Sequence, residues 1–344
     1  MAFVAPIFVL LGVLLGALAL AALLWPRGGL LARRRQARES AGRVRREDAL
    51  KHLCKTEAGS RQPTLHSVAG ALHLKPDEAG ALLREMEQQG LVSFASGELQ
   101  LTPAGRAAGL HVIRAHRLWE CHLAENTGVH ETEWHDRAET REHSMSPQEA
   151  DALSAQLSHP THDPHGDSIP AAGGELAADA GRPLNTLSAG EWVRIVHLED
   201  EPASLYAQLV ALNLRPGMRV QVLGKSVQRV RFRAGAEELE VAPILAQQIE
   251  VLPLPETEAG EATETLADFQ QGERATVIGL ARHCRGPERR RLLDLGFVPG
   301  TMVEVEMSSP SGEPTAYRVR GTVIALHLEQ ARLVMVEPGE KAKP

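Results

Sequence analysis

The sequence predicts an α+β protein of several domains, and three features of its pattern carry that prediction. An uncharged apolar run at residues 2–25 precedes eight arginines between Arg27 and Arg46. Segments with helix-capping signals come next and are interrupted by one short hairpin. The C-terminal half then contains two similar β-rich segments. At about 100–200 residues per domain, a chain of 344 residues has room for roughly two to four domains.

The apolar run predicts a transmembrane anchor at residues 1–26. About 20 apolar residues are needed to cross a hydrocarbon core, and no Lys or Arg precedes this run. The positive-inside rule therefore predicts a single-pass protein of the cytoplasmic membrane, with its N-terminus outside and its bulk in the cytoplasm. The alternative is a cleaved signal peptide, which would need a basic n-region and a shorter apolar stretch.

The arginines define a juxtamembrane linker at residues 27–44. They either contact anionic lipid headgroups or reach DNA phosphates. The formal net charge of -7 shows that the chain as a whole is not a general nucleic-acid binder. Its three cysteines form no CxxC pair, which indicates a reducing compartment and argues against a thiolate zinc site.

Residues 45–105 have the order of a winged helix-turn-helix. The pattern predicts a helix from Arg45 to about Glu57, a short helix that Thr64 caps, and a third helix that Pro76 opens. Two strands joined across 95–98 follow as the wing. The order of three helices and a hairpin therefore predicts this fold.

The remainder divides into a helical domain and two small barrels. Helices predicted after Pro103, around Trp134–Met145 and after Ser146 make up a domain at 106–170. Linkers are predicted at 171–186 and 253–265, and β-rich segments at 187–252 and 266–338. The second segment repeats the first, since 271–280 matches 189–198 and 295–305 matches 212–222. Several short strands and a tight turn in each copy predict SH3-like barrels.

Histidines and acids in the helical domain predict a metal site. Nine of the 15 histidines lie between His111 and His165. One predicted helix has His116 and Glu120 on the same face, and the next presents a second face made of His135, Glu139, Glu142 and His143. Nitrogen and oxygen donors without sulfur suit Mn²⁺ or Fe²⁺, with Zn²⁺ as a further option. The alternative is a solvated polar face on each helix.

Residues from about Arg45 to Leu252 resemble the diphtheria-toxin-repressor (DtxR/MntR) family of metal-dependent repressors. The resemblance lies in the sequences at 91–106, 115–120, 134–146 and 162–170. Residues 266–338 resemble FeoA domains through 290–305 and 317–337. The segment 187–252 resembles either the repressor family's own C-terminal barrel or a first FeoA copy.

The resemblance implies the ligands and their grouping. Asp48 on the first helix would join Glu139, Glu142 and His143 in a primary site, while His116, Glu120 and His135 would form a second or bridging set. Where iron-type members carry Met and Cys, this chain has Asp48 and Glu139, as manganese-type members do. Lys51 replaces one manganese-type acid. Glu199, Asp200 and Glu201 lie near the place of the family's barrel ligands.

The resemblance also implies a homodimer that binds a DNA operator when metal is bound. Lys75, Arg84, Arg45 and Arg46 are the predicted DNA contacts. The third helix, however, begins with Asp77 and Glu78, and two carboxylates do not favour phosphate. The alternative is therefore a metal-sensing FeoA-type accessory protein that contacts a ferrous iron transporter and has lost DNA binding.

The pattern does not predict an enzyme. The sequence contains no nucleophile–base pair, phosphate loop or dinucleotide fingerprint, and it lacks the HExxH spacing of a metalloprotease. Two smaller groups receive non-functional interpretations. His159, His162 and His165 could chelate metal, but they are assigned to a surface turn because Pro and Gly surround them. Arg289, Arg290 and Arg291 could contact lipid or a transporter, but they are assigned to a solvated helix face.

Overall fold

A computed structural model describes residues 30–95, 97–176, 181–235, 237–254, 264–281, 284–309 and 313–338, with side chains from Glu39 onward. The described part of the chain divides into two compact units, one up to residue 112 and one from residue 113. The predicted transmembrane anchor at 1–26 lies outside the described residues. Within the described residues, no helix is both long and apolar enough to cross a membrane.

The first unit contains three helices and a two-stranded wing, in the predicted order. Helix α1 spans Leu30–Ala58, α2 spans Leu65–Ala71 and α3 spans Pro76–Gln88. Strands β1 (Val92–Ala95) and β2 (Glu98–Leu101) form the antiparallel hairpin. Thr64 and Ser67 cap α2 reciprocally, and the Glu78 carboxylate accepts the backbone N–H of Lys75 at the start of α3. Apolar residues of all three helices and the wing form one core.

Helix α1 is longer than the sequence predicted. It begins at Leu30 rather than near Arg45 and so includes most of the segment expected to be a linker. Arginine, glutamine, alanine and leucine are good helix formers, and no proline follows Pro26 until Pro63. The segment therefore continues the helix instead of separating two domains.

Three helices carry the candidate site. Helix α4 spans Pro103–Asn126, α5 spans Trp134–Glu142 and α6 spans Pro147–Gln156, with a one-turn 3-10 helix at Glu131–Glu133. Ser146 and Glu149 form the predicted capping box of α6. Helix α5 ends at Glu142, so His143 is its C-cap rather than an interior residue. Buried residues of α4 and α6 form a small apolar core around Leu118.

The two β-rich segments, predicted as barrels and called barrel 1 and barrel 2 from here on, each form one antiparallel sheet of the same design. In barrel 1, α7 (Ala203–Ala211) and α8 (Pro243–Gln247) accompany the strands β3 (Arg182–Pro183), β4 (Trp192–Leu198), β5 (Arg219–Lys225), β6 (Val230–Ala234), β7 (Glu237–Val241) and β8 (Ile249–Pro253). In barrel 2, α9 (Gly286–Asp294) and α10 (Leu328–Arg332) accompany β9 (Arg274–Leu280), β10 (Met302–Ser308), β11 (Thr315–Val319), β12 (Thr322–Leu326) and β13 (Val334–Pro338).

Strand order and irregularities repeat between the barrels. The sheets run β3-β8-β4-β5-β6-β7 and β12-β11-β10-β9-β13, so β4 and β9 hold the same central place beside β8 and β13. The register shifts between Val222 and Gly224 in barrel 1, and between Val305 and Met307 at the matching place in barrel 2. Alternate residues of each strand point into a separate apolar core. The repeat seen in sequence is therefore a structural duplication.

Candidate metal centre

Helices α4 and α5 bring predicted ligands into one buried cluster. The imidazole of His116 lies between two carboxylates: its Nε2 is 3.1 Å from Glu120 Oε1, and its Nδ1 contacts Glu142 Oε2. All three side chains are buried. The i,i+4 spacing aligned His116 with Glu120 on one helix, and tertiary packing added Glu142 from the next.

His135 connects this cluster to barrel 1. Its Nδ1 is 2.7 Å from Asp200 Oδ2 and 3.8 Å from Glu120 Oε1. Its Nε2 is 3.6 Å from Glu139 Oε1 and 3.4 Å from Glu201 Oε1. Asp200 and Glu201 follow β4, so a barrel loop completes a site begun on the helices. One donor atom from each of four residues lies within 4.8 Å of the others, and these residues are His116, Glu120, His135 and Asp200.

A second buried cluster lies on the other side of Glu120. His165 is 1% exposed, and its Nδ1 is 3.6 Å from Glu120 Oε2 and 3.8 Å from Asp200 Oδ2. Asp163 is also buried, and its Oδ1 accepts three backbone N–H groups, those of His165, Gly166 and Asp167. Among the described residues, neither His165 ring nitrogen nor Asp163 Oδ2 has a hydrogen-bond partner. Buried polar atoms in this state are available to a metal ion.

The turn that holds Asp163 and His165 packs closely on barrel 1. Gly166 has a φ of +104°, and a Cβ atom there would lie 1.9 Å from the carbonyl oxygen of Val196. The backbone N–H of Leu198 donates to the His165 carbonyl. Arg117 pairs with Asp167 at 2.9 Å and lies 3.8 Å from Asp163. The assignment of His165 to a surface turn was therefore wrong, because β4 covers it, whereas His159 and His162 are exposed.

The charges of the two clusters support one another. Burial alone would raise the pKa of Glu120, but the imidazoles of His116 and His165 hold it well below its usual value. Burial would likewise lower the pKa of His135, but hydrogen bonds to Asp200, Glu139 and Glu201 raise it to about 12. Against the same effect of burial, the charge of Glu120, 3.6 Å away, raises the pKa of His165 to about 10. Burial raises the pKa of Asp163 well above its usual value.

The remaining predicted ligands lie in two places. His143 follows Glu142 at the end of α5, with its Nε2 3.6 Å from Glu142 Oε1. Asp48 belongs to the first unit, where it is half-buried on α1. Its part in the site therefore stays a prediction.

The predicted DNA contacts all lie in the first unit. Lys75, Arg84 and Arg45 are exposed. Arg46 forms an ion pair with Glu85 of α3 at 2.6 Å, so its charge is partly committed within the fold. Asp77 and Glu78 are exposed at the start of α3, as the sequence indicated.

The chemistry of these donors fits a divalent transition metal. Imidazole nitrogens and carboxylate oxygens suit Mn²⁺, Fe²⁺ and Zn²⁺. A metal site also needs a path for the ion. Asp163 and His165 border a cavity of about 760 Å³ that Trp134 and Tyr206 also line. The second cluster can therefore be reached from this cavity.

A winged helix and a buried His–carboxylate cluster in the same chain define a class of protein, the metal-responsive transcriptional regulators. The comparisons with known proteins support this class. Residues 102–171 match the metal binding and dimerisation domain of the iron-dependent repressors, and residues 182–253 and 264–338 each match the FeoA domain. The chain belongs to the family of iron-dependent repressors.

Two curated relatives carry that assignment. The iron-dependent repressor IdeR of Mycobacterium leprae is 30% identical over 174 residues, which are 46% of this chain and 75% of the relative. The diphtheria toxin repressor of Corynebacterium diphtheriae is 26% identical over 213 residues, which are 59% of this chain and 94% of the relative. A probable metal transport system membrane protein of Chlamydia trachomatis is 37% identical over 83 residues, but the chain spans only 18% of its length.

A solved structure extends the likeness to the fold. A manganese-dependent transcriptional repressor in complex with manganese is 27% identical with a TM-score of 0.55, and the match covers 60% of this chain and 99% of that chain. The prediction of a divalent transition metal is thus confirmed at the level of the family. Since the family consists of repressors, the expectation that the chain is not an enzyme is confirmed as well.

The predicted location in the cytoplasmic membrane is wrong by the same comparison. The relatives that match over most of their own length are named as repressors, not as membrane proteins.

Proposed function

We propose that this repressor senses Mn²⁺ or Fe²⁺ through the cluster around Glu120 and responds by changing its affinity for DNA. The observation that carries the proposal is the burial of His116, Glu120, His135 and Asp200, with donor atoms within 4.8 Å, in a chain that also has a winged helix. A buried cluster of carboxylates and imidazoles is costly unless a metal or protons balance its charges.

Within this proposal, Glu120 is shared by two metal positions. One position uses His116, His135 and Asp200, and the other uses Asp163 and His165. Glu139, Glu142 and His143 would extend the first position toward the primary site, for which the family resemblance implies Asp48 as a further ligand. Carboxylates outnumber imidazoles in this set, and the donors are hard, which favours Mn²⁺ or Fe²⁺ over softer ions.

The proposed output is DNA binding by a homodimer. The domain that matches residues 102–171 is described as a metal binding and dimerisation domain. Metal that fixes α4 and α5 would set the spacing of two winged helices, and half-site spacing decides operator recognition. Lys75, Arg84 and Arg45 are exposed and would contact phosphate, whereas Arg46 would act chiefly through its ion pair with Glu85.

A second function is favoured by the charge of α3. Its first turn exposes Asp77 and Glu78, which repel phosphate at the place where a recognition helix meets DNA. Barrel 2 meanwhile exposes Ile278, Met302 and Met307. On this alternative the chain is a metal-sensing FeoA-type accessory protein that regulates a ferrous iron transporter by contact.

One experiment separates the two functions. Full-length protein is titrated with Mn²⁺ or Fe²⁺ on a pool of its own genomic DNA at a fixed salt concentration, because affinity for DNA depends steeply on salt. Metal-dependent enrichment of a palindromic site is the result that the repressor proposal expects. Metal binding by calorimetry without any enrichment at low salt would move the function to the barrels.

A further inference from the structure

The segment that joins the two ligand-bearing helices is held by both barrels. It runs from the end of α4 at Asn126 through the 3-10 helix Glu131–Glu133 to the start of α5. From barrel 1, Arg215 lies 3.7 Å from Glu131. From barrel 2, Arg290 donates to the Glu125 carbonyl and to Asn126 Oδ1, both at 2.9 Å. Each barrel therefore contacts the connection between α4 and α5.

The contact from barrel 2 is directed at the end of α4. The last carbonyls of a helix lack partners inside the helix, and a cation there also complements the helix dipole. Arg290 donates a hydrogen bond to one of these carbonyls and places a positive charge at the helix end. Gly286, at the start of α9, has a φ of +59°, and a Cβ atom there would lie 2.7 Å from the Ala124 carbonyl oxygen. Close backbone approach and one arginine thus define the docking contact. The side chain of Arg290 is exposed, as the assignment to a solvated helix face expected, but its guanidinium also reaches the end of α4.

This contact lies one helical turn from the metal cluster. Ala124 follows Glu120 by four residues, and a turn of helix contains 3.6 residues. Glu120 belongs to both candidate metal positions. Metal–ligand distances tolerate shifts of only about 0.2 Å. A displaced α4 terminus would therefore move a carboxylate that both positions need.

We propose that barrel 2 is a positioning module: its docking through Gly286 and Arg290 fixes α4, so that metal affinity and barrel docking are thermodynamically coupled. The inference rests on the proposed metal-sensing function. Coupling of this kind is reciprocal, so metal should strengthen the docking of barrel 2 as much as docking strengthens metal binding. Barrel 2 thereby acquires a role that does not depend on any transporter.

The test compares matched variants of the full-length protein by calorimetric titration with Mn²⁺. Gly286→Ala should weaken Mn²⁺ binding by about five-fold or more, as allosteric couplings commonly do. Gly272→Ala is the control, because Gly272 also has a positive φ of +85° but nothing within 4 Å of its Cβ position. Arg290→Ala should weaken binding by about two- to five-fold. Its exposed neighbours provide the second control pair, Arg289→Ala and Arg291→Ala.

The second readout is the slowing of hydrogen exchange that Mn²⁺ causes. This slowing would not change if Gly286 and Arg290 only stabilised the fold. In the wild type, Mn²⁺ should slow exchange in α9 and in the last turn of α4, and Gly286→Ala should abolish that effect. If Gly286→Ala does not fold, Arg290→Ala against Arg290→Lys decides, since lysine keeps the charge and should retain most of the affinity.

Two results overturn the inference in distinguishable ways. Wild-type protein that binds neither Mn²⁺ nor Fe²⁺ removes the proposed function and the coupling together. Wild-type binding with unchanged affinity and exchange in both variants removes the coupling alone.

Discussion

The two barrels share one fold but contribute differently to the site. In each barrel the matched central strand ends in leucine, and a loop follows it. This strand is β4 in barrel 1 and β9 in barrel 2. Barrel 1 then continues Glu199-Asp200-Glu201-Pro202, whereas barrel 2 continues Ala281-Arg282-His283-Cys284. Asp200 and Glu201 reach His135, while Arg282 and His283 lie outside the described residues. Duplication has preserved the strands and changed the loop that supplies carboxylates.

The two barrels also differ in the contacts that they make with the helices that carry the ligands. The helix that follows this central strand is α7 in barrel 1 and α9 in barrel 2. Of these two helices, only α9 has an arginine that contacts the end of α4. The shared fold therefore sets where a barrel can dock. A few loop and helix residues decide whether the docked barrel supplies carboxylates to the site or contacts the end of α4.

The largest expected effect comes from emptying the two barrel cores at equivalent positions. Phe232 pairs with Val222 in barrel 1, and Tyr317 pairs with Val305 in barrel 2, and both aromatic side chains are fully buried. Phe232→Ala and Tyr317→Ala should each destabilise their own barrel by about 3–5 kcal/mol. Hydrogen exchange resolved by segment measures the two effects separately.

The consequence for metal should separate these two variants. Phe232→Ala should weaken Mn²⁺ binding by at least the roughly 10- to 150-fold expected for loss of Asp200, because barrel 1 holds that carboxylate. Tyr317→Ala should reduce it only by the few-fold effect of lost docking. Equal loss of metal in both variants would contradict the division of roles between the barrels.

The next effect comes from the barrel 1 carboxylate itself. Asp200 is 7% exposed and lies 2.7 Å from His135. Asp200→Asn removes a buried, charged hydrogen bond and a metal donor. This should cost about 1.5–3 kcal/mol, or roughly a 10- to 150-fold weaker Mn²⁺ affinity by calorimetry. Asp294→Asn, on the exposed face of α9, is the control, and similar affinities for both variants would show that barrel 1 supplies no ligand.

The parts of this site that the sequence predicted are those set by local periodicity. His116 and Glu120 are one helical turn apart, and so are His135 and Glu139, which aligns each pair whatever the tertiary fold. The repeated barrels were equally visible because alternation and turns recur in both copies. Helix propensity, however, extended α1 into the arginine tract, and the tract had been interpreted through its charge alone.

The parts that were missed depend on long-range packing. His165 is surrounded by Pro and Gly in sequence, which is typical of a surface turn, and only the approach of β4 buries it. In sequence, Arg290 cannot be distinguished from its neighbours Arg289 and Arg291. Only the packing of α9 on the end of α4 gives Arg290 a separate contact. One signal was available for Asp163: a single Asp before Pro-His-Gly suits a carboxylate that accepts several backbone N–H groups.

Protons should compete with metal at the site that barrel 1 completes. Carboxylates raise the pKa of His135 to about 12 and that of His165 to about 10, so both imidazoles are protonated in metal-free protein at pH 7. Metal ligation requires their neutral forms. Mn²⁺ affinity should therefore rise with pH, by up to about ten-fold per pH unit for each proton released. Calorimetry in buffers of different ionisation enthalpy counts those protons, and binding without proton release would exclude both imidazoles as ligands.

The stability of metal-free protein should depend on pH in the opposite sense. Because the folded-state pKa values of both imidazoles exceed the unfolded value of 6.5, their contribution is complete below pH 6.5 and is lost as pH rises through about 10 and 12. Glu120 and Asp200 have lowered pKa values, so their contribution is present above about pH 4.5 and is lost in acid. The pKa of Asp163 is raised, so its contribution also falls as pH rises. Denaturation in the presence of a chelator should therefore show a maximum in weakly acidic solution.

The smallest effect should come from Glu201, the neighbour of Asp200 in the same loop. Its side chain is 59% exposed, and its Oε1 lies 3.4 Å from His135 Nε2. Exposed ion pairs contribute about 0–1 kcal/mol, because water and salt screen them. Glu201→Gln should therefore weaken Mn²⁺ binding by less than about five-fold, and added salt should reduce even that difference. A loss as large as that of Asp200→Asn would show that Glu201 becomes a ligand when metal binds, which would place two barrel 1 carboxylates on the metal.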